Sequence, residues 1–435
     1  MNTRFQTILT IVFLVLAVLG IVAFATLRSG SSGSSVTITL WGTVSRDDFT
    51  NLLSVINQNR GNTPLRIEYT EKKEATLESD LVEALAKGEG PDTILLPQNL
   101  IIKQQDKLYP IPFTVYPEAT FKNTFVEAGN VFLTKDSVLA LPFQLDPLVL
   151  YWNRDLYTGA GIAQVPRYWD TFFNIASKLT VLSDGGTITK SALSLGEYQN
   201  ILHASDIFMM LTMQAGGRIT SFDSKDNRIV STLDAKSSDS KVAMAESALN
   251  FYTTFANPNN NAYSWNRSFP LSDEVFVSGD SATYIGYLSE FSTLRARNPN
   301  LNFDVAVMPQ SRVGRASTYA NILGIAILKR SPNVQTAYVA INDLLSLDNA
   351  RLWAKTSGYP PVRRDLAGET QSDNIKSVGY SSAIIAKSWT DPDSMVTEKI
   401  VKNMIESVLS GNAGAGSAVS RANKELQNEL DKYNN

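Results

Sequence analysis

The sequence predicts an α/β protein folded as two lobes. Three observations carry this: short apolar strands alternate with amphipathic helices after residue 36, a helix-rich stretch fills the middle, and short strands return beyond residue 280. Strands on both sides of a helical insert require the chain to cross between lobes more than once. The 435 residues suit about two or three compact units. A content of 43% hydrophobic and 19% charged residues, with 19 Phe and 16 Tyr, supplies a core and excludes a disordered chain. The sequence shows no internal repeat.

Residues 8–27 form an apolar run with no charge between Arg4 and Arg28. At ~1.5 Å per residue such a run spans the ~30 Å of a bilayer core. Positive charge ahead of it keeps the N-terminus inside and places the rest of the chain outside. The expectation is a single-pass membrane anchor at residues 1–28, with the body on the periplasmic or outer face. A cleaved signal peptide is the alternative, because Ala23-Phe24-Ala25 offers a small-x-small cleavage site. Residues 29–35, SGSSGSS, contain nothing apolar and read as a flexible tether.

The body opens with VTITLW at 36–41, a β-branched apolar strand, and then Phe49, Leu52, Leu53 and Ile56 recur at helical spacing over residues 46–59. LRIEY at 65–69 is a second strand; Leu77, Leu81, Val82 and Leu85 line one face of a helix over 75–87 that ends at Gly88. PDTILL at 91–96 is a third strand, short and continuously apolar, as in a parallel sheet covered on both faces. SVLALP at 137–142 and LVLYW at 148–152 read as two strands separated by a turn, FQLDP. Helices are expected over 169–179, 204–215 and 240–255, strands at 282–287, 303–308 and 323–328, and a helical tail from 334 broken at GYPP, 358–361.

The residue inventory excludes several chemistries. There is no cysteine and one histidine, His203, which removes thiol nucleophiles, disulfides, iron–sulfur clusters and multi-histidine metal sites. No cofactor is expected: the Gly-rich stretch at 411–417 lacks the lysine of a phosphate loop and follows a helix. Basic residues, 39 against 42 acidic for a net charge of -3, are scattered singly, which argues against a nucleic-acid partner. His203, Ser205 and Asp206 do not make a hydrolytic triad, because neighbours on one helix point to different faces. Paired acids such as Asp47-Asp48, Asp273-Glu274 and Asp391 with Asp393 read as caps and solvated loops, so a glycoside-active enzyme is the weakest alternative.

Taken in chain order, VTITLWG at 36–42, GPDTILL at 90–96, LALPFQLDPLVLYWNRDL at 139–156, PRYWDTF at 166–172, MMLTMQAGGRI at 209–219, SGDSATYIGY at 278–287, NFDVAVMPQ at 302–310, LGIAIL at 323–328 and WAKTSGYPPVRRDL at 353–366 resemble the family 1 extracellular solute-binding proteins. These are the receptors of ABC importers, maltose-binding and related sugar-binding proteins among them. The resemblance implies a type II periplasmic-binding-protein-like fold with three inter-lobe crossings, near 143–147, 319–324 and 358–361, and a ligand held between lobes by hinged closure. It divides the body into a first lobe of 36–143 and 323–358 and a second of 144–322 and 359–435. It implies a monomeric, non-catalytic receptor for a saccharide, working with ABC permease subunits. An anchored binding module of a sensor or adhesion system is the other reading.

A sugar presents an apolar C–H face that stacks on aromatic rings and a rim of hydroxyls that bond to carboxylates and amides. The resemblance places nine residues toward such a ligand. Trp41 ends the first strand, at the edge where open α/β sheets bind ligands. Gln144 and Asp146 stand in the first crossing, Tyr319 in the second and Tyr359 in the third. Tyr287 follows the YIG strand, and Trp265 and Trp389 fall in second-lobe loops. Asn99 follows the third strand, where the maltose-binding branch has an aromatic and an acidic residue; it retains hydrogen bonding without stacking. Trp169 is assigned to its own lobe's packing, and Arg46 to a solvated helix start.

Overall fold

The computed structural model describes residues 36–60, 65–223, 225–226, 228–236 and 241–433. The apolar run at 8–27 and the tether at 29–35 lie outside the described residues. Among the described residues, no helix is long and apolar enough to cross a membrane.

Eight strands form the main sheet: β1 Ile38–Gly42, β2 Ile67–Glu71, β3 Thr93–Pro97, β4 Leu141–Asn153, β5 Thr283–Tyr287, β6 Phe303–Ala306, β7 Thr318–Ile327 and β8 Ala386–Lys387. β1 lies between β2 and β3, parallel to both. The helices Arg46–Arg60 and Glu74–Lys87 connect them, the second ended by Gly88 in the left-handed region at φ 78°. The expected apolar faces are buried at Phe49, Leu52, Leu53, Ile56, Leu77 and Leu81. Val82 is exposed, since it sits one position beyond the buried stripe.

The first two crossings are continuous strands, in contrast to the turns expected from FQLDP and from the start of LGIAIL. β4 has 13 residues and β7 has 10, and they pair antiparallel along the junction of the lobes. Asp146-Pro147 reads as a turn signal in sequence, but Phe143 and Leu145 on one side of it and Leu148 on the other are buried, and the gain from that burial keeps the chain extended. β7 continues the first-lobe sheet by pairing with β3, and β4 continues into the second lobe by pairing with β5 and β6.

The buried side chains fall into two large clusters and a small one. The first spans Ile38 to Leu145 and Ala320 to Ala386, and the second gathers Leu148 to Tyr319 with Trp389 to Leu430. The small cluster packs Tyr151, Tyr284 and Phe303 against Val378. The chain therefore passes between the large cores for the third time at 386–389, later than the boundary at 358 read from sequence. After Pro360-Pro361 it returns to the first lobe: the Val126 N–H donates to the Val362 carbonyl (2.9 Å) and Arg364 Nε to the Phe125 carbonyl (2.6 Å). The helices Ser394–Leu409 and Ala415–Leu430 close the second lobe.

Candidate functional site

The floor of the cleft follows from strand alternation. In the β4–β7 pair, Asn321 stands opposite Asp146 and Leu323 opposite Gln144. Side chains alternate along a strand. Phe143, Leu145, Ala320 and Ile322 therefore fill the first core, and Gln144, Asp146, Asn321 and Leu323 share the opposite face. With Thr43, Glu74 and Pro97 from the C-terminal ends of the first-lobe strands and the start of the following helix, these four line a cavity of about 160 Å³. Two of the seven lining residues are acidic and none is basic.

Asp146 joins this floor to the second lobe. Its Oδ1 accepts the Ser289 N–H at 3.1 Å. Burial pushes its carboxyl up to about 6, against the pull of the Ser289 bonds. Tyr359 lies close by: burial raises its phenol, and the Asp146 carboxylate raises it further. Gln144 Oε1 is buried without a hydrogen-bond partner, as is Asn99 Oδ1. Buried polar atoms normally find partners, so Gln144 leaves an acceptor unsatisfied on the cavity wall.

Behind the floor, the second lobe holds a buried set of aromatic and titratable groups. The Tyr287 hydroxyl donates to Asp206 Oδ2 (2.7 Å), and the Tyr287 N–H donates to Glu290 Oε1 (2.8 Å). His203 packs edge-on against Tyr287, ring centres 4.7 Å apart, and its Nε2 meets Glu290 Oε1 at 2.8 Å. Burial opposes charge on both, but their mutual hydrogen bond and attraction outweigh it. His203 is held above its ordinary range and Glu290 below. Among the described residues His203 is the one non-glycine with positive φ, at 60°. Burial pushes the Asp391 carboxyl up to about 7, although it accepts from Thr397 Oγ1 (2.7 Å) and the Asp393 N–H (3.1 Å).

Of the nine residues read from sequence, Gln144 and Asp146 lie on the cavity wall, with Tyr359 beside Asp146. Trp41 is half-buried at the end of β1, and Lys72 Nζ sits 3.8 Å above its ring. Asn99 is half-buried in the turn after β3. The remaining aromatics supply packing in place of the stacking wall expected of them. Trp265 is 0% exposed, stacked on Phe269 and bonded through Nε1 to Asn200 (3.0 Å). Tyr287, Tyr319 and Trp389 belong to the same buried cluster. A ring's area is worth more against a core than against water, and at these positions the core takes it. Trp169 is packed in its lobe, as expected, with Nε1 on Gln214 (2.7 Å). Ser205 bonds to Tyr198 and His203 to Glu290, so no triad forms.

Sequence reading missed Thr43, Glu74, Asn321 and Leu323. Asn321 carried a signal: it is the one strongly polar residue inside TYANILGIAI, and it is exposed in a strand otherwise mostly buried. Glu74 and Thr43 carried none, because their place depends on how the first-lobe strands end.

The model of the bacterial extracellular solute-binding protein family matches residues 55–377. A binding protein of Brucella abortus (strain 2308) is 23% identical over 257 residues, 59% of this chain; the chain spans 58% of the length of that relative. Among solved structures, the ABC transporter solute-binding protein of Thermotoga lettingae, bound with α-D-tagatose, is 21% identical with a TM-score of 0.63, covering 91% of this chain and 100% of that one. The sugar-binding protein MalE of Xanthomonas citri is 16% identical with a TM-score of 0.72, covering 91% and 98%. The two structural likenesses each cover about nine-tenths of the chain.

Proposed function

Because the chain belongs to the bacterial extracellular solute-binding protein family, we propose that it is the extracytoplasmic receptor of an ABC importer for a neutral saccharide, held at the membrane by residues 8–27. One observation supports this most: Gln144, Asp146 and Asn321, separated by up to about 180 positions in sequence, share one face of the two hinge strands and line one cavity. Carboxylate and amide groups on a fixed floor suit hydroxyls. The absence of any basic lining residue disfavours phosphorylated or carboxylate ligands. Ligand pockets generally enclose ~300–1,000 Å³, and this cavity is smaller, so the fit is to a single ring. The structural neighbours in Thermotoga lettingae and Xanthomonas citri, one bound with a ketohexose and one described as sugar-binding, point the same way.

Ligand held between lobes favours the closed state by its differential affinity for the two conformations, and a permease reads that shift. The deciding experiment is a thermal-shift panel on the full chain with monosaccharides, oligosaccharides, amino acids and phosphorylated polyols. Stabilisation by a neutral sugar supports the reading, and stabilisation by amino acids or phosphorylated compounds alone refutes it. Fractionation with N-terminal sequencing tests the anchor: a soluble chain beginning near Thr26 overturns it.

A further inference from the structure

Resting on the cleft as the ligand site, we infer that Gln98 is a positioning residue that fixes which atom of Asn321 faces the ligand, and so selects a ligand hydroxyl that accepts from Asn321 and donates to Asp146. Gln98 is buried, 4% exposed, and does not itself line the cavity. It lies where β3 leaves the sheet. β3 pairs with β7 as far as Pro97 opposite Leu323, and the chain then turns into a short 3-10 segment, Gln98–Leu100. On the β3 side, the Ile322 N–H lies one residue beyond that pairing and has no strand to meet. The Gln98 side chain takes its place: the Ile322 N–H donates to Gln98 Oε1 at 2.8 Å.

That bond sets the rest by donor and acceptor logic. A backbone N–H can only donate, so the oxygen of Gln98 faces Ile322 and its NH2 faces the other way. There Gln98 Nε2 donates to Asn321 Oδ1 at 2.8 Å and to the Tyr319 hydroxyl oxygen at 3.2 Å. An NH2 group can only donate, so Asn321 turns its oxygen toward Gln98. The Asn321 NH2 is left on the exposed side, on the strand position opposite Asp146 in register. The floor thus presents a donor beside an acceptor, a pair matched by a neutral polyol hydroxyl that accepts from one and donates to the other.

The test uses the full chain, two variants and two readouts. By NMR, the Gln98 side-chain NH2 protons exchange slowly with solvent and those of Asn321 exchange fast. The opposite ranking overturns the relay whether or not any sugar binds. Calorimetry then compares D-tagatose, D-fructose, D-glucose, D-mannose and D-galactose. Asn321→Asp preserves the acceptor for Gln98 and removes the cleft donor, so the best-bound sugar should lose about tenfold in affinity while Gln98 protection persists. Gln98→Met frees the Asn321 amide and should narrow the spread of affinities across the five sugars, an effect that general destabilisation would not produce. Unchanged affinity in Asn321→Asp, or an unchanged spread of affinities in a folded Gln98→Met protein, overturns the assignment. If none of the five binds the wild type, the neutral sugars that stabilise it in the thermal-shift panel take their place; if no sugar does, the saccharide reading fails, and the exchange measurement still decides the relay.

Discussion

Gln144 and Asp146 of the cleft floor and the aromatic cluster behind it drew the same expectation from sequence and have opposite fates in the structure. Gln144, Asp146 and Asn321 alternate with buried neighbours on strands shared by both lobes, so their side chains reach the cavity. Trp265, Tyr287, Tyr319 and Trp389 lie in the second-lobe core, Trp265 and Tyr319 with their polar atoms bonded inside the protein. The difference teaches that strand period decides exposure of a polar residue within a sheet, whereas a large ring goes to whichever apolar surface covers it. The floor should therefore govern affinity and the cluster stability.

The largest effect expected is on the cluster side. Trp265→Ala removes a fully buried indole and its bond to Asn200, and should cost about 3–5 kcal/mol of stability. Urea denaturation measures it, and a loss below about 1 kcal/mol would mean that the ring is not core. Tyr287→Phe is milder: it leaves the buried Asp206 carboxylate without its hydroxyl donor, at about 1–3 kcal/mol. Ligand affinity in the folded variant should stay near wild type, and a selective loss of affinity would move Tyr287 to the floor's side of the comparison.

On the floor, Asp146→Asn should weaken binding of the sugar identified by the panel about tenfold with no loss of stability at neutral pH. Its pH dependence sharpens the case. Burial raises the carboxyl from 3.8 in the unfolded chain to about 6 in the native state, so between those values the native protein binds the proton more tightly. The contribution of Asp146 to the stability of the unliganded protein then increases as pH falls through that window and is lost as pH rises through 6. Affinity moves the other way, because the ionised carboxylate is the better acceptor. Wild type and Asp146→Asn compared by calorimetry and melting at pH 5 and 7.5 should differ in both slopes, and parallel slopes would show that Asp146 does not titrate there. The smallest effect belongs to Lys72→Met, which removes the cation above Trp41 and should cost about 0.5–1 kcal/mol. If sugar binding quenches Trp41 fluorescence more strongly in this variant, the freed ring is an additional stacking surface.

Much of the first lobe was legible because its elements are periodic. The strand at 36–41, the helix at 46–59 and the apolar run at 91–96 each announce their buried face without reference to the rest of the chain, and the structure forms Ile38–Gly42, Arg46–Arg60 and Thr93–Pro97. Asp146 and Gln144, which line the cavity, were singled out through the order of motifs on which the resemblance rests. Glu74 was hidden, since nothing local separates a helix-start acid that lines a cleft from one that meets solvent.

By itself, the sequence determined the α/β class, the apolar faces, the absence of thiol and multi-histidine chemistry and the chain order of the family's motifs, because each depends on residue type and on spacing within a few turns. Only the tertiary structure decided that Asp146-Pro147 stays extended, that the chain re-enters the first core after Pro361, and that four named aromatics pack inward. It alone set Gln98 against Ile322 and Asn321. These outcomes depend on pairings between segments up to 224 residues apart, where the free energy of burial and of satisfying each buried donor outweighs the local preference that a sequence displays.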